Sequence, residues 1–238
     1  MAGGRHLRAP DAWIFDLDGT LVDTVERRIT SWLQALGERG IAADRRQVAR
    51  FIGSDGRRLA RLVAEADGLS PDDHRDETLD RRAGEIFSLL NVDAQLLPGV
   101  TELLQALDDH GCRWAIATSS RRQQVDASVH ALQLAKRPLI VDGTHVKRAK
   151  PAPDLLLLAA RELGIEPADG WYVGDATWDM QAAVAAGMPG IGVVSGSATA
   201  SDLNDAGATL TVNQLIELIR FVQGATGTPV EGGTPRPS

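Results

Sequence analysis

The sequence predicts an α/β protein: a doubly wound parallel sheet carrying an inserted α-helical domain near its N-terminus. Three observations lead there. Short apolar runs ending in polar residues recur along the chain. Stretches of helical period separate most of them, as in folds that alternate strand and helix. One long early segment breaks the alternation, with helical periodicity and no convincing strand.

Ala12 to Leu17 (AWIFDL) reads as the first buried strand with an acidic tip. Glu26 to Val92 is the segment that breaks the pattern, with apolar residues at Ile29, Trp32, Leu33 and Leu36 and again at Leu59, Leu62 and Val63. The chain returns to the sheet at Leu97, Pro98 and Gly99, where a turn precedes a helix over Gly99 to His110. Arg113 to Ala117 (RWAIA) is the next strand and ends in Thr118, Ser119 and Ser120. A helix over Gln123 to Leu134, a weaker strand at Pro138 to Val141 and a helix over Pro153 to Leu163 follow. Trp171 to Gly174 leads into Asp175, Thr177 to Ala186 is helical, and Gly190 to Val194 leads into Ser195. The expected domains are a sheet core over 11–25 and 93–223 and a helical domain over 26–92. Residues 224–238, rich in Gly, Pro and Thr without apolar periodicity, read as a disordered tail.

Composition narrows the function. Of 238 residues, 43% are hydrophobic and 24% charged, which fits a globular chain and not a wholly disordered one. The formal net charge of −7 repels nucleic acid and anionic membrane, so an anionic ligand must find a local positive site. Cys112 is the single cysteine, which rules out an intramolecular disulfide. The longest apolar stretch, Leu155 to Ala160, is far shorter than the roughly 20 residues that span a bilayer. A cytoplasmic protein with a small-molecule partner, and neither a nucleic-acid nor a membrane partner, is the expectation.

Four motifs could carry chemistry. DLDGT places Asp16 and Asp18 two residues apart at a strand end, where crowded like charges need a cation or a retained proton. The same letters also suit an acidic turn. Asp175 and Asp179 follow another strand, and Asp175 equally suits helix capping. Thr118 and Ser119 offer hydroxyl and amide donors before a helix, fit for a phosphate oxygen or for ordinary capping. Lys150, in AKPAPD, is at such a place usually a solvated charge. Together these signals end strands of one sheet, where ligands of such folds collect. Several carboxylates favour Mg²⁺, and a lysine with hydroxyls suits a phosphoryl group.

With DLDGT, TSS, KPAPD and GDATWD present in that order, the sequence resembles the haloacid dehalogenase superfamily over roughly Asp11 to Phe221, and within it the phosphatases with a helical cap after the first motif. The resemblance implies a Rossmann-like core and a phosphatase acting on a small phosphorylated metabolite. It implies Asp16 as nucleophile, Asp18 as general acid and base, and catalytic roles for Thr118 and Lys150. It further implies Mg²⁺ held by Asp16, the Asp18 backbone carbonyl and Asp175, with Asp179 orienting Asp175 or a metal-bound water. Thr118, Ser119 and Lys150 would bind the phosphoryl group.

Departures sort the branches. Dehalogenases of the superfamily lack the acid that Asp18 supplies, so phosphate-ester chemistry is expected. Mutases of this capped group tend to carry a histidine near Arg28, which weakens the phosphomutase alternative. A non-catalytic phospho-accepting signalling module is the remaining rival, with no use for Asp18 or a cap. In the loop Gly53 to Arg58, Arg57 or Arg58 would bind a second anionic group of the substrate, or else lie solvated at a helix start. The five tryptophans are read as packing residues and Cys112 as buried and inert. Oligomeric state is left open.

Overall fold

The structure, a computed structural model, describes residues 8–134 and 136–224. One sheet holds β1 (Ala12–Phe15), β2 (Arg113–Ala117), β3 (Leu139–Val141), β4 (Gly170–Gly174), β5 (Gly190–Val193) and β6 (Leu210–Val212). Every pairing is parallel and the spatial order is β3-β2-β1-β4-β5-β6. The helices are α1 (Val25–Gly37), α2 (Arg45–Ala49), α3 (Gly56–Ala66), α4 (Asp73–Leu90), α5 (Val100–Asp109), α6 (Arg122–Ala131), α7 (Asp154–Leu163), α8 (Thr177–Ala186), α9 (Ala200–Asp205) and α10 (Ile219–Gly224).

The central strand shows why its sequence is an unbroken apolar run. Trp13 and Phe15 pack into one layer with Ile116, Val173 and helix α5, while Ile14 packs into the other with Tyr172, α7 and α8. A parallel strand covered on both faces has no solvent side to mark with polar residues. Trp13 meets Trp171 edge-on at 5.1 Å, and Trp171 meets Phe221 at 4.9 Å, so these tryptophans serve packing. Gly99 turns the chain into α5 with φ +83°, and a Cβ there would come within 2.7 Å of the Ile216 backbone nitrogen.

Between Val25 and Leu90 the chain is helical and has its own apolar cluster of Ile29, Trp32, Leu36, Leu59, Val63, Leu79 and Ile86. The spacing Ile29, Trp32, Leu36 sets one stripe of α1 inward. Asp44, Asp55 and Asp72 cap α2, α3 and α4, each carboxylate accepting from backbone amides of the following turn.

Sequence and structure differ at the edge of the sheet. β6 was not anticipated, because three residues between polar neighbours give no period to read. Cys112 is only partly buried, although burial still raises its thiol pKa. Gly224 closes α10, and the rest of the expected tail lies outside the described residues. Among the described residues no helix is long and apolar enough to cross a membrane.

Candidate active site

Strands β1, β2 and β4 end beside one another, and the loop after β3 comes up against them. Asp16 follows β1 and Asp175 follows β4, whose neighbouring residues Phe15 and Val173 are in register. Lys150, in the loop before α7, is fully buried and reaches in from the side, with Nζ 2.8 Å from Asp16 Oδ1 and 2.7 Å from Asp179 Oδ1. Tyr172, from β4, sets its hydroxyl between Asp179 Oδ1 at 3.1 Å and the Ala117 carbonyl at 2.9 Å, with one proton for the two acceptors. Thr20 donates to Asp175 Oδ1 at 2.8 Å. The amide of Ala176, the residue before α8, goes to Asp179 Oδ2 at 2.9 Å, so Asp179 does the capping and Asp175 is left facing the site.

This end of the cavity carries more negative charge than its own cations offset. Burial pushes Asp16 up to about 7, opposed by Lys150 and reinforced by Asp179 and Asp18. Burial likewise holds Asp175 well above the carboxylate range, with Asp179 and Asp16 adding to it. Lys150 is raised too, for a different reason: burial lowers its pKa, but Asp16 and Asp179 outweigh burial. Asp16, Asp175 and Asp179 each offer an oxygen within 4.8 Å of the others. Asp16 Oδ1, though ion-paired, accepts no hydrogen bond of sound geometry. Room is kept beside Asp175: a Cβ on Gly196 would lie 1.8 Å from Asp175 Oδ2. Buried hard oxygens and excess negative charge fit a small divalent cation.

A cavity of about 50 Å³ lies between these strand ends and the helical domain, lined by Asp16, Asp18, Thr118, Lys150 and Arg28 among others. Asp18 turns away from the carboxylate cluster. Its Oδ1 accepts from Thr24 at 2.9 Å and its Oδ2 from Ser120 and Arg28, both at 2.6 Å.

A sequence model of haloacid dehalogenase-like hydrolases matches residues 13–193. The chain belongs to that family. It is 34% identical over 193 residues to a phosphoglycolate phosphatase of Xanthomonas campestris pv. campestris (strain 8004), covering 80% of this chain and 86% of the relative. With an N-acetylmuramic acid 6-phosphate phosphatase of Pseudomonas putida it shares 31% over 217 residues, covering 90% and 96%. Among solved structures, a hydrolase from Pseudomonas syringae has a TM-score of 0.85 at 32% identity, covering 90% of this chain and 98% of that one.

In this haloacid dehalogenase-like hydrolase the core residues singled out from the sequence converge, and the cap arginines do not. Thr118 is buried on the cavity wall, its hydroxyl accepting from the Ser120 amide at 3.2 Å, and Ser119 donates across to the Gly53 carbonyl at 3.3 Å. Lys150 is the opposite of a solvated charge. Asp18 does not join the metal-type cluster through its side chain. Arg57 and Arg58 are exposed and absent from the cavity wall. Arg57 folds back onto Asp55, the cap of its own helix, and donates to the Lys147 carbonyl, while Arg58 lies 5.3 Å from the Trp178 ring. At the first turn of α3 both side chains follow the helix outer face, which points them away from the cavity.

Sequence reasoning passed over the cation that does line the cavity. Arg28, on α1, donates to Asp18, Ser120 and Gln124, each at 2.6 Å, with its guanidinium 3.5 Å from the Phe87 ring centre. In the sequence Arg28 stands out only as the residue near which mutases tend to carry a histidine. Its signal was a charged residue inside the apolar stripe of Val25, Ile29 and Trp32, where an arginine must find partners. Tyr172 carried a similar signal as the one tyrosine of the chain, set within a buried strand.

Proposed function

We propose that this chain is an Mg²⁺-dependent phosphatase that hydrolyses a small phosphorylated metabolite through an aspartyl-phosphate on Asp16. The observation that carries this is the burial of Asp16 between Lys150 and two further carboxylates, one face open to a cavity that also holds Asp18. The relatives named as phosphatases support the same reaction class.

Asp16 attacks phosphorus as the bond to the alcohol oxygen breaks, and Asp18 hands that oxygen a proton. Water then attacks the acyl phosphate while Asp18 takes the proton back, which frees phosphate and restores Asp16. Lys150 holds Asp16 in line and offsets part of the charge as anion meets anion. Thr118 and Ser119 supply donors for phosphoryl oxygens. Asp16, Asp175 and the Asp18 carbonyl would hold Mg²⁺, with Asp179 fixed behind them by Lys150 and Tyr172. A bound Mg²⁺ supplies positive charge against the phosphoryl oxygens. The helical domain closes over the cavity and keeps bulk water out.

The test is phosphate release from p-nitrophenyl phosphate and a panel of phosphorylated metabolites, with and without Mg²⁺. Asp16→Asn should lower turnover by at least about 10³-fold while the fold is kept. Substantial activity in that variant would sink the nucleophile assignment.

A further inference from the structure

We propose that Trp178 is the post on which the roof of the reaction cavity is set, a positioning residue that holds the cap segment 49–58 down over the strand ends. Its effect on turnover rests on the phosphatase reading, whereas its hold on the roof does not.

Trp178 differs from the other tryptophans. Trp13, Trp114 and Trp171 pack into the sheet core and Trp32 into the cap core. Trp178, on the first turn of α8, is half-buried and spans the two domains. The cap segment wraps its indole. Nε1 donates to the Arg50 carbonyl at 2.9 Å, the Phe51 ring lies 6.2 Å away between centroids, and the Arg58 guanidinium is 5.3 Å from the ring. Gly53, at φ +88°, lays its backbone against the same turn: a Cβ there would come 2.8 Å from the Ala176 Cβ and 3.9 Å from Trp178 Cδ1. Arg58, absent from the cavity wall, thus serves as one side of this clasp.

The clasped segment is also the wall. Ile52, Gly53, Ser54 and Gly56 all line the cavity. Other hydrogen bonds tie the segment to the core: Ser197 Oγ to the Ala49 carbonyl at 3.0 Å, Ser119 Oγ to the Gly53 carbonyl at 3.3 Å, the Asp55 amide to the Lys150 carbonyl at 2.9 Å and Arg57 to the Lys147 carbonyl at 3.3 Å. Water replaces bonds of this kind when the segment lifts. Trp178 adds aromatic surface and a cation over its ring, which water does not replace. Because it stands in the turn that also carries Asp179, the roof is set on the same backbone as the site's carboxylates.

The position of the roof is readable without any chemistry. Hydrogen exchange of the native chain, Trp178→Ala and Trp178→Phe would follow segment 49–58 beside α1, α4 and β1. Trp178→Ala should speed exchange of the segment about ten-fold, the worth of one hydrogen bond with its aromatic contacts, and leave α1, α4 and β1 as they are. Trp178→Phe, which loses the N–H and part of the ring, should lie between. Unchanged exchange in the segment, or an equal gain everywhere, overturns the proposal.

Two substrates read the same equilibrium. A cavity that takes a benzene ring runs to about 150 Å³, against about 50 Å³ here. p-Nitrophenyl phosphate therefore reacts with the roof raised, and acetyl phosphate, which has no ring, with it in place. The ratio of their kcat/KM values, p-nitrophenyl phosphate over acetyl phosphate, follows the ratio of raised to seated roof. With Mg²⁺ present, Trp178→Ala should raise that ratio about ten-fold, and any loss common to both through Asp175 or Asp179 cancels. Should Trp178→Ala fail to fold, Trp178→Phe is read in the same two ways with a smaller shift. A ratio unmoved by Trp178→Ala, where Asp16→Asn abolishes both cleavages, sinks the positioning role and leaves the phosphatase reading standing. If neither compound is cleaved, the phosphatase reading falls and the exchange measurement alone decides on Trp178.

Discussion

The two sides of the cavity are charged in different ways. At the strand ends, three buried carboxylates share one cation, Lys150. On the cap-facing side Asp18 meets Arg28 and Asp80 meets Arg121, one to one. The first side is left with excess negative charge that a retained proton or an added cation offsets. The second is balanced pair by pair. The carboxylate motifs thus sit in two electrostatic settings, although in the sequence Asp16 and Asp18 stand only two residues apart. The division is a matter of direction: Asp16 ends the strand facing β4, while Asp18, past the turn, faces Thr24, Ser120 and the cap helix.

Substitutions can break that comparison. On the balanced side Asp18→Asn should lower kcat by about 10²- to 10⁴-fold, the usual contribution of general acid–base catalysis. Stability should fall as well, because an amide has one acceptor oxygen where Asp18 uses two, one for Thr24 and one for Ser120 and Arg28. Phosphate release and a thermal melt on the same preparation check both halves, and full activity would remove Asp18 from the chemistry.

On the strand-end side stability is the measure. Lys150→Met takes away the one buried cation there and leaves its carboxylates unpaired, at a cost of about 3–5 kcal/mol. Urea unfolding of metal-free protein measures it. Arg28→Gln, judged the same way, should cost less, since Asp18 keeps two hydroxyl donors. Equal losses would mean that the two sides do not differ in charge as described.

Much of the strand-end side was legible in the sequence, and less of the cap-facing side. A parallel strand buried on both faces must be apolar throughout and must end in its polar residues, so AWIFD and WYVGD announced both their place and their tips. Which tip met which partner did not follow. Asp175 read as well as a helix cap as a site residue, and only the Asp179 contact to the Ala176 amide separates the two. Lys150 carried no sign of burial, because its two carboxylate partners lie 134 and 29 residues away in sequence. On the cap side the loop sequence drew attention to Arg57 and Arg58, but helix direction turns them outward. Arg28, hidden in an apolar stripe, points in because α4 brings Phe87 and α6 brings Gln124 to the same spot. Contacts made between two domains leave little trace in either one's local pattern.

The smallest expected effect tests the charge excess itself. Asp16, raised from 3.8 to about 7 without a metal, binds its proton more tightly in the folded chain than in the unfolded one. Between about pH 4 and pH 7 the unfolded chain has lost that proton and the folded chain still holds it, so stability falls as the pH rises through this window. Asp175, raised in the same direction, adds to the fall, whereas the raised Lys150 acts only above its ordinary value of 10.5. Metal-free protein should therefore melt several degrees lower at pH 8 than at pH 5, at roughly 2–4 °C for each kcal/mol in a chain of this size. Asp16→Asn should flatten the slope, having no carboxyl there to titrate. Mg²⁺ binds the deprotonated carboxylates, so it should raise the melting temperature more at pH 8 than at pH 5. A slope that Asp16→Asn leaves intact, or equal Mg²⁺ stabilisation at both pH values, would show that the strand-end carboxylates are neutralised by some other means than a bound cation.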